Sequence, residues 1–322
     1  MAGMARNHHW VPQCYLKGFA KGRSKNSQLH VVDGVAQRHF VTVPRNIASA
    51  RDFNRIDIPG VAPDHIETTL AKFEGDVAKA LTRICRDREI LDPEDLNLTL
   101  NLIALLAVRT PGMREHIRQQ QERILKRVMD LTLGTKQRYE ASFSEAASDG
   151  AINGEEVLPY DQMQNFFDRA QYTITMPTTR HVSLELDLVK TILPLLSRRN
   201  WLLVRADPGT GGFITSDQPV VLKWIERRPR GPFDSPGFGL RGTEVIFTVS
   251  HDLALIGTFD DPSGTTDADE AEVALINGVI MGYSGRQIYA RDDRFRYLRP
   301  DGEVRRGADA LHDLPRPAPA GL

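Results

Sequence analysis

The chain has 322 residues, 41 Lys+Arg against 42 Asp+Glu for a formal charge of −1, and 41% hydrophobic against 26% charged residues. That balance excludes a globally basic nucleic-acid coat and an acidic disordered chain, while leaving room for a local basic patch. A folded chain of this length buries roughly 75% of the surface its unfolded form exposes, and the two cysteines, Cys14 and Cys85, are too few for a disulfide-dense scaffold and form no CxxC zinc pair.

In chain order, the opening 1–19 reads as irregular or briefly helical, because Pro12 and Gly18 interrupt its short apolar run. No sustained apolar stretch precedes its first charged and histidine residues, so no secretory signal is expected. Residues 28–32 and 40–43 read as strands around an Asp33-Gly34 turn, with Pro44 as the exit. From Pro63 onward Ile66, Leu70, Phe73, Val77 and Leu81 recur at helical spacing. A second helix follows the cap Asp92-Pro93 and runs through Leu106, and a third starts at Pro111 and ends at Gly134. The polar, acidic stretch 142–159 is expected to be an exposed connection.

Beyond it the pattern predicts a helix over 181–196 and strands at 201–205, 213–215, 220–222, 245–249 and 254–257. A helix over 269–281 and strands at 287–290 and 295–298 complete the set. These elements predict an α+β fold with a helical middle region and a mixed or antiparallel sheet-rich C-terminal half. Residues 1–305 form a single composite domain in this reading, with a subdomain boundary at 142–159 and a flexible tail over 306–322. The most apolar stretch, 96–108, is too short for a hydrocarbon layer of roughly 30 Å. A cytoplasmic protein without a membrane association is therefore expected.

His8 and His9 precede Trp10 and Pro12 in an irregular segment, where imidazoles suit metal binding or proton transfer. The run His8-His9-Trp10-Val11-Pro12-Gln13-Cys14-Tyr15-Leu16-Lys17-Gly18-Phe19 resembles the opening motif of the domain of unknown function 4238 family. The resemblance continues at Arg51-Asp52-Phe53, the 67–74 helix segment, Arg109-Thr110-Pro111, Phe213-Ile214-Thr215-Ser216-Asp217-Gln218-Pro219-Val220, and Asn277 before Tyr289-Ala290. Two positions depart from that pattern: Asn54 stands where the family usually has an aromatic residue, and Gln218 where it has Asn. The resemblance implies membership and no particular reaction.

Glu67 and Glu74 lie seven residues apart, about 10 Å along one helix face, and each can join a histidine in a site assembled across elements. Asp217 follows a tight strand exit that can project it into a cleft, as a metal ligand or base. Ser216 has no GxSxG elbow around it. Arg51 and Arg109 offer guanidinium forks that can clamp a phosphate or pin a carboxylate. The run 226–230 and the arginines over 286–306 make the C-terminal third locally basic, whereas Gly209-Thr210-Gly211-Gly212 lacks the Lys-Ser/Thr ending of a phosphate-binding P-loop and reads as a turn. The expected function is a metal-assisted phosphodiesterase or nuclease, a hydrolase acting on nucleic acid. In it His8, His9, Asp217, Glu67 and Glu74 hold a divalent metal or activate water, and Arg51 or Arg109 stabilises phosphate charge. The alternative is a nonenzymatic module that binds or senses nucleic acid or a protein partner.

Overall fold

The computed structural model describes residues 7–153, 157–168, 172–226, 231 and 234–315. Contacts divide the chain into two compact units, Met1–Pro111 with Thr178–Leu322, and Gly112–Pro177. The division falls at 111/112 and 177/178, whereas the single composite domain was expected to part at 142–159, a stretch inside the smaller unit.

The larger unit opens with β1 (Asn7–His9), α1 (Gln13–Leu16) and a 3-10 turn, followed by β2 (Leu29–Asp33), β3 (Arg38–Thr42) and β4 (Ser49–Arg51). In α2 (His65–Asp87) the buried stripe is Val77, Ala80, Leu81 and Ile84, the three- and four-residue spacing of one helix face. The Asp92 side chain accepts the Glu94 N–H, and with Pro93 in the first turn it starts α3 (Pro93–Val108), which is buried nearly all round from Leu100 onward.

The smaller unit contains α4 (Pro111–Thr132) from its second residue onward, α5 (Lys136–Ser148) and α6 (Tyr160–Asp168). The Tyr139 hydroxyl donates to the Leu158 carbonyl at 2.6 Å and the Tyr160 hydroxyl to the Leu133 carbonyl at 2.9 Å. The first part of 142–159 is therefore helical rather than a connection. Its apolar period is too sparse to read, since Tyr139 is the buried residue of α5.

The chain returns to the larger unit with α7 (Thr178–Ser197), β5 (Asn200–Ala206), β6 (Thr215–Ser216), β7 (Val220–Trp224), β8 (Thr243–Ser250), β9 (Leu253–Thr258) and β10 (Gly264–Ala268). The Asp269–Glu272 capping box then opens α8 (Glu270–Tyr283), and β11 (Gln287–Ala290), β12 (Arg296–Leu298), β13 (Val304–Arg306) and α9 (Ala310–Asp313) follow. A five-stranded sheet has the order β10-β5-β9-β8-β7 and a four-stranded sheet the order β3-β2-β11-β6. The pairings are antiparallel except for β10 with β5, so the α+β architecture carries a mixed sheet, as expected from the sequence.

Strand alternation sends side chains of the five-stranded sheet into two cores. Leu203, Val245, Phe247, Leu253 and Leu255 join α1, α2, α3 and α7 residues such as Tyr15, Val77, Ile103 and Ile192. Val204, Ile246 and Ala254 face the other way, onto Val273 and Ile280 of α8. Ala310 and Leu314 belong to this second core, so the segment from 306 is anchored as far as Leu314 rather than forming a tail; residues 316–322 lie outside the described set. No single helix among the described residues is long and apolar enough to cross a membrane.

Asn277 fastens α8 to two loops. Its carboxamide oxygen accepts the Ile214 N–H at 3.0 Å, and its Nδ2 donates to the carbonyls of Gly212 at 2.9 Å and Arg296 at 2.7 Å. Asn277→Ala strands three buried backbone partners and is expected to lower the unfolding free energy by about 2–4 kcal/mol. Urea denaturation measures this, and a loss below about 1 kcal/mol would show that the three bonds are not the fastening.

Candidate functional site

β1 and β4 form a short antiparallel ribbon with His8 opposite Ala50 and Asn7 opposite Arg51. Alternation turns His8 inward, where it is 3% exposed, and leaves His9 half-buried. The backbone N–H of Asn54 donates to His8 Nδ1 at 2.9 Å, so that nitrogen carries a lone pair and the ring proton resides on Nε2. The Asn54 side chain, itself fully buried, donates from Nδ2 to Glu67 Oε1 at 2.6 Å. Asn54 thus bridges His8 and Glu67, whose nearest atoms are 3.7 Å apart.

His9 adjoins this bridge. Its Nε2 donates to the Arg45 carbonyl at 3.2 Å, which leaves the lone pair on Nδ1. Burial holds its pKa below the ordinary 6.5, aided by Arg109 and opposed by the Arg45 carbonyl and Glu67. Two turns along α2 from Glu67, Glu74 approaches Arg109 Nη2 at 3.8 Å. Burial raises the Glu74 pKa above 4.5 and Glu67 adds to the rise, while Arg109 opposes it. Arg109, 2% exposed at the end of α3, pairs with Glu74, whose side chain remains 27% exposed, and Glu67 beside His8 remains 32% exposed. The group combines a buried guanidinium and a buried imidazole with two partly exposed carboxylates.

Of the residues singled out in the sequence, the structure brings His8, His9, Glu67, Glu74 and Arg109 together. Arg51 stands on the neighbouring strand with its side chain 70% exposed, its Nε 3.5 Å from Asp52. Asp217 has a different neighbourhood: its Oδ1 accepts the Gly285 N–H at 2.9 Å, and its own N–H donates to the Gln287 carbonyl at 3.0 Å. Ser216 Oγ is committed to the same turn, accepting the Gln218 N–H and donating to the Gln218 carbonyl.

The structure therefore places Asp217 in a hydrogen-bonding neighbourhood different from that of His8 and His9. Among the described residues no group of three or more His, Cys, Asp or Glu side chains is placed to hold a metal ion. The two motifs do meet, through Tyr15, whose hydroxyl lies 2.6 Å from Thr215 Oγ1. Of the basic run 226–230, residues 227–230 lie outside the described set.

Sequence reasoning missed Asn54 as the bridging residue. The signal was present as the polar residue standing in place of an aromatic one. A buried amide there is retained only when its hydrogen bonds are made.

Burial pushes the Asp217 carboxyl up to about 6, with the N–H groups of Gly285, Gln287 and Arg286 opposing the rise. A carboxyl raised by folding holds its proton more tightly in the folded state. Its favourable contribution is complete below about pH 4 and is lost as pH climbs through about 6. Asp217→Asn keeps the acceptor for Gly285 and removes the buried charge. Its melting temperature is expected to exceed that of the parent by at least about 2 °C at pH 7.5, with the gap closing toward pH 4. A variant that melts lower than the parent at pH 7.5 contradicts this account.

No curated protein and no solved structure matches the chain. The family model described as "Protein of unknown function (DUF4238)" matches residues 7–294, a span running from the β1 histidines through the Asp217 turn to the segment after β11, and the chain belongs to that family.

Proposed function

We propose that the group around His9 cleaves phosphodiester bonds of nucleic acid by general acid–base hydrolysis. The observation that carries this reading is the placement of two groups, displaced in opposite directions by burial, around the shared neighbours Glu67 and Arg109. Pairs of titratable groups tuned apart from their ordinary values suit an acid and a base working together. His9 Nδ1 takes a proton from the attacking water. Glu74, protonated, gives one to the leaving oxygen as the bond from phosphorus to that oxygen breaks. Arg109 offsets the charge that builds on the phosphoryl oxygens. The His8–Asn54–Glu67 bridge ties the strand that carries His9 to the helix that carries Glu74.

The second reading, a nonenzymatic module that binds nucleic acid or protein, is favoured by the fate of the C-terminal motif. There Thr215, Ser216 and Asp217 are all engaged in bonds within the fold.

Cleavage of labelled single- and double-stranded DNA and RNA, assayed with and without a chelator, separates the two. His9→Ala and Glu74→Gln, shown folded by circular dichroism, are expected to lose at least about 100-fold in rate. The base must be deprotonated and the acid protonated, so the rate should be bell-shaped in pH. It should rise as His9, its pKa lowered by burial, gives up its proton and fall as Glu74, its pKa raised by burial, loses its own. Binding without cleavage at any pH would leave the binding module as the function.

A further inference from the structure

A separate cavity of about 640 Å³ opens where the loop 207–212 faces His251, the segment 291–296 and Arg306. Its volume falls in the range of small-molecule sites, roughly 300–1,000 Å³. Four arginines line it, Arg291, Arg294, Arg296 and Arg306, and they are not equivalent. Arg294 is held by Asp292 at 2.6 Å, and Arg296 is held by Glu270. Among the described residues, Arg291 and Arg306 have no carboxylate partner. Arg291 instead donates to His251 Nε2 at 2.8 Å, which orients its guanidinium while leaving other N–H groups over.

The register sharpens the point. Arg306 stands directly opposite Arg296 across the β12–β13 pair. Glu270 already neutralises Arg296, so among the described residues Arg306 is the member of this opposed pair left without a carboxylate. The lining also contains acceptors. Among the described residues no hydrogen bond or ion pair engages the carboxylates of Asp207 and Asp293, which line the same cavity. A ligand that carries both an anionic group and hydrogen-bond donors would complement both sets.

One wall is built in advance. Gly211 and Gly212 have φ of +86° and +79°, and a Cβ on either would come within 2.5 Å of the Arg294 carbonyl or 2.3 Å of the His251 carbonyl, respectively. The Phe213 N–H donates to the His251 carbonyl at 2.7 Å, and Asn277 holds the Gly212 carbonyl. The loop is thus fixed against the strand ends that carry the cationic side chains, so binding needs little ordering of the backbone.

We infer that this cavity binds a phosphorylated sugar of mononucleotide size. The phosphate lies between Arg291 and Arg306, whose planar forks match its oxygens, and the sugar hydroxyls donate to Asp207 and Asp293. The site shares no residue with the His9 group and stands whether or not that group cleaves phosphodiesters.

Isothermal titration of the full chain with adenosine monophosphate, ribose 5-phosphate and inorganic phosphate, in buffer of physiological salt, tests this. At least one of the two phosphorylated sugars should bind saturably, and inorganic phosphate at least about tenfold more weakly. Tighter binding of the nucleotide than of ribose 5-phosphate would assign a nucleotide, and equal binding a sugar phosphate. The folded double variant Arg291→Ala/Arg306→Ala should lose at least about tenfold in affinity, with Arg306→Gln alone as the milder check on folding. Asp293→Asn should narrow the preference over inorganic phosphate, and His9→Ala should bind like the parent. No saturable binding of either sugar phosphate, equal binding of inorganic phosphate, undiminished binding by the double variant, or loss of binding in His9→Ala would each overturn the inference.

Discussion

The larger unit is organised around one buried phenol. The Tyr15 hydroxyl donates to the Thr248 carbonyl at 2.7 Å and accepts from Thr215 Oγ1 at 2.6 Å, while the ring stacks on Phe247 and meets Phe19 edge-on. Burial without those partners would cost this hydroxyl about 1–3 kcal/mol, so its bonds fix how the opening segment enters between β6 and β8. Gly18 continues the docking: its carbonyl accepts the His251 N–H at 3.1 Å, and a Cβ there would sit 3.0 Å from the Val249 carbonyl. The segments that carry the two ends of the family pattern are thereby joined in the interior rather than at a surface cleft.

That constraint explains the division of labour between polar groups. With Tyr15 and Val11 fixed in the core, the residues just before them run as β1 along β4, and His8 is delivered to Asn54 in the turn after β4. Thr215, Ser216 and Asp217, on the other side of the same junction, are used to close a turn on β11. The carboxylate of Asp33 does similar work in the four-stranded sheet. Burial opposes its ionisation, but Arg286, the Ala36 N–H and Gln287 together hold its pKa below the ordinary range. Polar residues close in chemistry thus serve two ends. Some saturate one another inside the fold, and others, such as His9 and Glu74, are left half-buried at its edge with altered proton affinities.

Much of the fold was legible because its helices and central strands obey simple periods. The stripe of α2, the cap and Pro of α3 and the capping box of α8 can each be read from local sequence. The elements that escaped reading have little apolar signal. β10 is polar and exposed up to Ala268, and it exists because β5 offers it a parallel edge. β1 and β4 are three residues each and are strands only because they pair. In the candidate site, the sequence supplied His8, His9, Glu67, Glu74 and Arg109 as separate candidates but gave Asp217 a place among them. Their partition depends on which face of each element meets which neighbour, and spacing along one chain does not contain that information.

The sequence by itself determined the class of fold, the positions of its long helices, the residue types available for chemistry and the family to which the chain belongs, since these follow from local periodicity, capping and motif identity. The tertiary structure decided which side chains share a neighbourhood. Burial and hydrogen bonding across long sequence separations gave His8 to Asn54, Thr215 to Tyr15 and Asp217 to Gly285. The same packing set the proton affinities of His9, Glu74 and Asp217, because the cost of keeping a charge depends on the surrounding dielectric and partners, which exist only once the chain has folded.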